Sequence, residues 1–253
     1  MYSLLRTLFG IVALLVFTPL CGSVVVVGSL VGLRDRAGSV FDKMPRWWAR
    51  AIMWASGVEV VVHGDEHRCG AQHVFVANHV SWFDVLVVAS QLQWFKFVAK
   101  AELGRVPLFG RAAAAAGTVY IQRDNRKAAF DAYREAADKI HEGASVIVFA
   151  EGTRGADYAI RHFKKGPFVL AIRAQAPIVP TVIYGTIRVQ PRGRIRVEPG
   201  LVHVHFLEPV PTAGLDYDAR DQLAVTVRDR MAECLAREYG VKSEVIGARR
   251  VTA

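Results

Sequence analysis

Cysteine is scarce in this sequence, and its three cysteines, Cys21, Cys69 and Cys234, lie far apart. Their odd number argues against a disulfide framework. None of them has the short spacing that binds zinc or forms a redox-active pair. We therefore expect isolated reduced thiols in a protein that faces the cytoplasm, and we expect no metal site.

The sequence signatures of several large functional classes are also absent. The chain has no Gly-x-Ser-x-Gly nucleophile elbow, no Walker loop and no Gly-x-Gly-x-x-Gly dinucleotide motif. Zinc-finger spacing, RNP-type aromatic motifs and basic heptads are missing as well. The net charge of +9, from 32 basic and 23 acidic residues, therefore favours an anionic lipid surface over nucleic acid as the partner.

Charged residues are missing altogether from residues 7–33. A helix of this length, at ~1.5 Å per residue, could cross a hydrocarbon core of about 30 Å. Pro19 and Gly22 interrupt its middle, so a single kinked span competes with a hairpin of two short helices that dips into one leaflet. A cleaved signal peptide fits less well, because the apolar stretch is too long. Lys and Arg are more frequent after this segment than before it, which places the main domain in the cytoplasm.

Three tryptophans, Trp47, Trp48 and Trp54, follow among arginines. Tryptophan favours the headgroup boundary and arginine favours anionic lipid, so this stretch predicts an interfacial helix. The alternative is an ordinary amphipathic helix that packs its tryptophans on the core. We assign residues 1–57 to an N-terminal membrane-anchoring segment, residues 58–240 to an α/β domain and residues 241–253 to a C-terminal tail.

Short runs rich in Val, Ile and aromatic residues alternate with helical patterns after residue 57. The predicted strands are Val58–His63, His73–Ala77, Phe95–Lys100, Thr118–Gln122, Ser145–Ala150, Ile178–Tyr184 and Leu201–Phe206. The predicted helices are Trp82–Leu92, Lys127–Glu142, Gly166–Gln175 and one from about Asp218 to Tyr239. This interleaving predicts an α/β fold with a single mixed, mostly parallel sheet flanked by helices and preceded by N-terminal membrane-associating helices.

His79 and Asp84 are the first candidates for chemistry. His79 directly follows a predicted strand, at the edge where open α/β sheets place ligand sites. Two positions five residues apart in one helix diverge by about 140°, so the pair can meet only if His79 precedes the helix and Asp84 lies in its first turns, with Ser81 as the N-cap. Asp84 would then orient the imidazole, whose other nitrogen could remove a proton from a hydroxyl. Alone, this spacing is weak, because a helix-capping or core histidine explains it better.

Other polar residues also lie where predicted strands end. The stretch Glu151-Gly152-Thr153-Arg154 suits a bound phosphate or a fixed Glu–Arg ion pair. Arg123 ends another strand, and Lys100 and Lys164 lie near further strand ends or turns. Cations from several strand ends can converge on one anion, although each of them alone could be solvated surface. The stretch around Pro180 offers an apolar surface, either for an acyl chain or for the core.

Taken in order, these stretches resemble the glycerolipid acyltransferase family, in particular the 1-acyl-sn-glycerol-3-phosphate acyltransferases. Asn78-His79-x-Ser81-x-x-Asp84 is similar to the NHxSxxD block, and residues 117–123 are similar to the second block. Residues 149–154 resemble Phe-Pro-Glu-Gly-Thr-Arg, and Val179-Pro180 lies in the fourth, apolar block. The resemblance covers roughly residues 45–210. Gln122, Ala150 and Gly155 stand where the family usually has aspartate, proline and serine.

The resemblance implies transfer of an acyl group to the sn-2 hydroxyl of 1-acylglycerol 3-phosphate, which forms phosphatidic acid. His79, oriented by Asp84, would deprotonate that hydroxyl for attack on the thioester of acyl-CoA or acyl-carrier protein. It implies no metal and no cofactor besides this acyl donor. The residues expected to bind the substrate are Arg123, Glu151, Gly152, Thr153, Arg154, Lys100 and Lys164.

Three alternatives stay open on the sequence alone. The acceptor could be another lysolipid, such as a lyso-ornithine lipid or lysophosphatidylinositol. The same histidine could act on water, which would make the protein a hydrolase. The protein could also be a catalytically inactive membrane-surface binding protein.

Overall fold

The computed structural model describes residues 1–70, 72–122 and 124–243. The helices in these ranges are α1 (Tyr2–Leu30), α2 (Val40–Ser56), α3 (Phe83–Gln91), α4 (Phe109–Ala115), α5 (Arg126–His141), α6 (Gly166–Ala174), α7 (Thr186–Val189) and α8 (Arg220–Tyr239). The strands are β1 (Val58–His63), β2 (Val74–Ala77), β3 (Phe95–Lys100), β4 (Val119–Ile121), β5 (Ser145–Phe149), β6 (Ile178–Tyr184) and β7 (Gly200–Phe206). The domain boundaries at residues 57 and 240 stay predictions, and residues 244–253 of the predicted tail lie outside the described residues.

The seven strands form one sheet in the order β1-β7-β6-β2-β5-β3-β4. All neighbouring strands are parallel except β6 and β7, which are antiparallel. The predicted α/β class and mostly parallel sheet are thus confirmed. Each predicted strand agrees with an observed one to within one residue at either end, because buried parallel strands are continuous apolar runs that stand out from the amphipathic helices between them.

Both faces of the sheet are covered. In β2 the side chains alternate: Val74 and Val76 pack on α5, α6 and α8, while Phe75 and Ala77 pack on the side of α2 and α3. This alternation is the two-residue period of a strand. Covered strands of this kind leave the strand ends and the loops that follow them as the accessible part of the sheet.

Helix α1 is one continuous helix that contains Pro19, so residues 7–33 do not form the predicted alternative of two short helices. Small side chains three or four residues apart, Ser3, Thr7, Gly10 and Ala13, face the rest of the protein. This spacing puts them on one side of the helix. The larger apolar side chains, among them Leu4, Leu5, Leu8, Phe9, Leu14 and Leu15, are exposed on the other sides.

Both ends of α1 are attached to the α/β domain. At its start, the Ser3 hydroxyl donates to the Val197 carbonyl (3.1 Å), and the Thr7 hydroxyl accepts from the Val197 N–H (2.9 Å). Just after its end, the Asp35 carboxylate accepts from the Lys96 ammonium (2.5 Å) and from the Trp94 indole (2.8 Å). The helix therefore lies along the domain with one long apolar side facing outward.

The tryptophans of α2 divide between the two predicted environments. Trp47 and Trp54 are 62% and 81% exposed. Trp48 packs inward: its indole N–H donates to the Thr18 hydroxyl (2.9 Å), and its ring lies 6.1 Å from that of Phe109. Two of the three tryptophans are thus available to a membrane boundary, and the third joins α1, α2 and α4.

Lys96 is a buried cation that contacts the chain just after the end of α1. Its ammonium donates to Asp35 (2.5 Å) and to the Ala116 carbonyl (2.8 Å). Burial lowers the pKa of Lys96, and the hydrogen bond and charge of Asp35 oppose this effect. The Asp35 carboxylate is therefore the counter-charge that makes burial of this lysine tolerable.

We expect Asp35→Asn to reduce the free energy of unfolding by about 2–3 kcal/mol, because it leaves a buried ammonium without its counter-charge. Denaturant unfolding of the detergent-purified protein measures the change. The matched control is Asp65→Asn, which breaks an ion pair with Arg68 whose carboxylate is 62% exposed and should cost less than ~1 kcal/mol. Equal losses in the two variants would contradict a special role for the Lys96 contact.

Candidate active site

Asn78 fixes the turn that follows β2. Its side chain is buried; its amide nitrogen donates to the Ile183 carbonyl (3.0 Å), and its amide oxygen accepts from the Ile183 N–H (2.8 Å). These two bonds satisfy a backbone N–H and carbonyl of β6 at the end of the strand pairing. His79 therefore leaves the carboxyl end of β2 from a fixed point, at the sheet edge where parallel strands place ligand sites.

His79 and Asp84 face each other, with 3.0 Å between Nδ1 and Oδ2. His79 precedes α3 and Asp84 lies in its first turn, which is the arrangement that the five-residue spacing required. The same Oδ2 accepts from the backbone N–H groups of Val80 (2.6 Å) and Ser81 (2.7 Å). Asp84 is fully buried, and these three donors replace the water that Oδ2 has lost, whereas Oδ1 is buried without a hydrogen-bond partner among the described residues.

The imidazole of His79 is held in one orientation. Its Nδ1 faces Asp84, and its ring stacks on Phe149 with 4.2 Å between the centroids. The side chain stays 17% exposed. An Nδ1–H that donates to a carboxylate assigns the proton to that nitrogen and leaves the Nε2 lone pair as the base.

Ser81 lies two residues before α3, which begins at Phe83. Its hydroxyl accepts from the Phe83 N–H (3.3 Å), as expected of a side chain that caps a helix, and donates to the Gln190 carbonyl (2.9 Å). Ser81 therefore bonds the start of α3 and also ties this turn to the loop after α7.

The turn after β5 holds the His79 peptide from the other side. The Glu151 Oε1 accepts from the His79 N–H (3.2 Å), and the Gly155 N–H donates to the His79 carbonyl (2.7 Å). Burial raises the pKa of Glu151 to about 7, against the opposing effects of the His79 N–H and of Arg161. Glu151 thus contacts the backbone of the predicted base, and its predicted contact with substrate stays a prediction.

Arg154 does not pair with Glu151, so the ion-pair alternative is wrong. Its guanidinium lies over the ring of Trp82, 5.1 Å from the ring centroid, in a cation–π contact. Its carbonyl accepts from Arg192 Nη1 (3.3 Å). Trp82 is half exposed, so this contact holds the Arg154 cation at the surface next to the His79 turn.

Four of the predicted substrate-binding residues line one open groove beside this turn; they are Lys100, Gly152, Thr153 and Lys164. Lys100 also forms an exposed ion pair with Glu102, with 2.8 Å between Nζ and Oε1. Arg105 lines the same groove and was not identified from the sequence. Lys100 is the last residue of β3, and Arg105 follows soon after it. This position near a strand end was the sequence signal that could have identified Arg105.

Arg123 lies outside the described residues. Its chain neighbours Gln122 and Asp124 line the groove, and the substrate-binding role of Arg123 stays a prediction. The cations of the groove suit a phosphate. Within the described ranges, no three His, Cys, Asp or Glu side chains are grouped to hold a metal ion.

An apolar cavity of about 110 Å³ lies between the N-terminal helices and β3. Its walls include Cys21 from α1, Trp48 from α2, Phe97 from β3 and Phe109 from α4. The Phe97 ring lies 6.4 Å from that of Phe149, which itself stacks on His79. A series of ring contacts therefore leads from the cavity wall to the imidazole. The sequence did not reveal it, because its walls come from segments far apart in the chain.

The apolar block around Pro180 does not line this cavity. Val179 and Thr181 are buried in the middle of β6, and the Pro180 carbonyl accepts from the Leu207 N–H (2.9 Å). Of the two predicted alternatives for this block, the core is the one observed. Its apolar side chains pack on the helices that cover the sheet.

Comparisons with known proteins agree with this geometry. The family model described as acyltransferase matches residues 59–184. A 1-acyl-sn-glycerol-3-phosphate acyltransferase of Limnanthes alba is 32% identical over 184 residues, which are 70% of this chain and 64% of that protein. The lyso-ornithine lipid O-acyltransferase of Pseudomonas aeruginosa is 32% identical over 191 residues, which are 69% of this chain and 72% of that protein.

A solved structure is similar over almost the whole chain. The crystal structure of the 1-acyl-sn-glycerophosphate acyltransferase PlsC from Thermotoga maritima matches 96% of this chain and 98% of its own, with a TM-score of 0.78 and 27% identity. The chain spans slightly less than two thirds, 64%, of the Limnanthes relative. Identity and coverage with the Pseudomonas protein, together with the matched family model, show that this chain belongs to the acyltransferase family that includes the 1-acyl-sn-glycerol-3-phosphate acyltransferases.

Proposed function

We propose that this protein transfers an acyl group from acyl-CoA or acyl-carrier protein to the sn-2 hydroxyl of 1-acylglycerol 3-phosphate and so forms phosphatidic acid. The observation that carries the proposal is the His79 imidazole, oriented by the buried Asp84 and placed near both an apolar cavity and a groove lined by Lys100, Arg105 and Lys164. The relatives with this name support the choice of acceptor.

The chemistry follows from the orientation of His79. Its Nε2 takes the proton of the acceptor hydroxyl while the hydroxyl oxygen forms a bond to the thioester carbonyl carbon. The carbon–sulfur bond then breaks, and the imidazolium returns the proton to the leaving thiolate. Asp84 stabilises the imidazolium that exists between these two steps. The acyl group moves directly from donor to acceptor, so no covalent acyl-enzyme forms.

The acceptor phosphate and the acyl chain would each lie in surroundings that suit them. Arg154 and the groove cations Lys100 and Lys164, together with the predicted Arg123, would hold the acceptor phosphate by charge-assisted hydrogen bonds. Gly152 and Thr153 form part of the wall of this groove. The apolar cavity suits an acyl chain, because its lining is almost entirely hydrophobic. Glu151 would act by holding the His79 peptide, and not by touching substrate.

Helix α1 would place the protein on the bilayer that contains the acceptor. It is long and apolar enough to cross a membrane, but both of its ends are bonded to the same α/β domain, through Ser3 and Thr7 at one end and Asp35 at the other. A spanning helix would need its ends on opposite sides of a core about 30 Å thick. We therefore propose that α1 lies in one leaflet, with the exposed Trp47 and Trp54 at the headgroup boundary.

The α/β domain would face the cytoplasm. Its donors, acyl-CoA or acyl-carrier protein, are water-soluble, and the domain must meet them on the side of the membrane where they are made. The cysteines of the described residues, Cys21, Cys69 and Cys234, are all free thiols, which suits a reducing compartment.

A second candidate acceptor is a lyso-ornithine lipid. The observation in its favour is the Pseudomonas relative, of which this chain covers more than of the Limnanthes protein. This acceptor has no phosphate, and the anionic group it could offer to the groove cations is the carboxylate of ornithine. Mass spectrometry of the lipid products from a mixture of lysophosphatidate, lyso-ornithine lipid and acyl-CoA decides between the two acceptors.

We expect His79→Ala to lower the acyl-transfer rate at least 10²- to 10⁴-fold, because the substitution removes the general base. The rate of ester formation from acyl-CoA and lysophosphatidate measures the effect, and the thermal unfolding midpoint checks the fold. The matched control is His141→Ala, which removes an exposed histidine at the end of α5 and should keep full activity. Normal acyl transfer by His79→Ala would sink the assignment.

We expect Arg154→Gln to raise the KM for lysophosphatidate roughly 10-fold or more, since a hydrogen bond to a charged group contributes about 1.5–3 kcal/mol. The KM for acyl-CoA should change much less. Steady-state kinetics with each substrate varied in turn measure the split. Arg173→Gln, which removes an exposed arginine of α6, is the control. An equal rise in both KM values would argue against a phosphate contact.

Glu151→Gln should change how stability depends on pH. The pKa of Glu151 is raised from 4.5 to about 7 in the folded state, so its stabilising contribution is present below pH 4.5 and is lost as the pH rises through about 7. A glutamine does not ionise. The free energy of unfolding of the variant should therefore rise by roughly 2–3 kcal/mol relative to that of the wild type as the pH increases from the lower to the higher of these values.

Denaturant unfolding across this pH range measures the gain. The control Glu102→Gln replaces an exposed carboxylate whose pKa is lowered by its hydrogen bond to Lys100, and it should show no such gain. If the stability of Glu151→Gln and that of the wild type depend on pH in the same way, the raised pKa of Glu151 is refuted.

A further inference from the structure

The loop between α7 and β7, residues 190–199, carries arginines that the acyl-transfer chemistry does not use. Arg192, Arg194 and Arg196 are all exposed, and Ile195 between them is 76% exposed. Glu198 is the acidic residue of this loop, and it pairs with Arg196 at 2.8 Å. Arg192 and Arg194 therefore give the tip of the loop a net positive charge, next to a protruding apolar side chain.

A tight turn sets the shape of the tip. The Arg194 N–H donates to the Pro191 carbonyl (3.2 Å), and Gly193 has a φ of 81°. Glycine adopts this conformation without strain, which explains its place as the third residue of the turn. The turn leaves Arg192, Arg194 and Ile195 exposed to solvent.

The two ends of the loop join the candidate active site to the membrane helix. At the first end, the Gln190 carbonyl accepts from the Ser81 hydroxyl (2.9 Å), and Arg192 Nη1 donates to the Arg154 carbonyl (3.3 Å). At the second end, the Val197 N–H donates to the Thr7 hydroxyl of α1 (2.9 Å). The loop is therefore a fixed bridge between the His79 turn and the first turns of α1.

The first turns of α1 present apolar side chains beside this loop. Leu4, Leu5 and Leu8 are 59%, 46% and 54% exposed. If these side chains lie in the acyl region of one leaflet, as the proposed function requires, cations fixed next to them lie at headgroup level. Arginine binds phosphate oxygens through its planar fork of donors, and basic segments near a membrane favour anionic lipid.

We propose that the loop of residues 190–196 is a second membrane-docking element that binds anionic phospholipid headgroups beside the candidate active site. Arg192 and Arg194 bind the headgroup phosphates, and Ile195 enters the boundary between headgroups and acyl chains. The inference rests on the proposed placement of α1 in one leaflet. It adds a preference for negatively charged membranes, which the apolar α1 cannot supply.

The test is vesicle flotation of the full chain, purified in detergent and mixed with vesicles of phosphatidylcholine alone or of phosphatidylcholine with phosphatidylglycerol. We expect the wild type to bind the anionic vesicles more tightly. The double variant Arg192→Gln/Arg194→Gln should lose roughly 10- to 30-fold of that binding, because each arginine near an anionic surface contributes about 1 kcal/mol. Its binding to pure phosphatidylcholine should not change.

The matched control is Arg134→Gln/Arg173→Gln, which removes two exposed arginines from α5 and α6 on the opposite face of the sheet. It should keep the anionic preference. The proposal is overturned if the wild type shows no such preference, or if the loop variant and the control behave alike. It is also overturned if the loop variant weakens binding of acyl-carrier protein while vesicle binding is unchanged.

A fluorescent label at residue 195 gives a second, independent reading. In Ile195→Cys made with Cys69→Ser, vesicles that contain lipid brominated near the headgroup should quench the label, whereas a label on Arg173→Cys in the same background should not be quenched. No quenching at residue 195 overturns the proposal. Acyl transfer is measured in the same samples: if transfer is absent but the loop effects are present, only the proposed function fails, and the reverse result removes only the loop proposal.

Discussion

The Asp84 carboxylate has no contact with water, and a single oxygen of it accepts from the His79 ring and from the N–H groups of Val80 and Ser81. A buried carboxylate without donors would be strongly unfavourable, so the turn before α3 must keep this shape whenever the helix is packed on the sheet. The orientation of the imidazole is thus a consequence of the packing of α3. Asn78 and the Glu151–Gly155 turn extend the same constraint to β6 and β5.

The N-terminal helices complete the surroundings of this site and are part of the folded domain. α1 is bonded to the domain at both ends, and it forms one wall of the apolar cavity together with α2, β3 and α4. The ion pair of Lys96 with Asp35 sets the position of one end. A helix fixed in this way holds its exposed apolar side, the cavity and the His79 turn in a constant arrangement, which a flexible tether would not do.

Much of the fold and part of the site could be predicted from local signals. Apolar runs of strand length predicted both ends of β1 and of β6 correctly. The five-residue spacing from His79 correctly required Asp84 in the first turn of a helix. Other features had no local signal. Arg105 reaches the groove through the path of the chain after β3, and Arg154 turns to Trp82 instead of Glu151.

The strands and helices, the motif residues and the apolar character of residues 7–33 follow from local sequence, because they depend on side-chain type and on periods of two or 3.6 residues. Three features became visible in the folded chain alone: α1 runs unbroken along the domain, an apolar cavity lies behind the rings of Phe97 and Phe149, and the block around Pro180 belongs to the core. These features arise from contacts between segments far apart in the chain, such as Thr7 with Val197, and no local pattern records which distant partner a side chain will meet. His79 and Asp84 could be identified from the sequence because both residues lie within one short stretch of it.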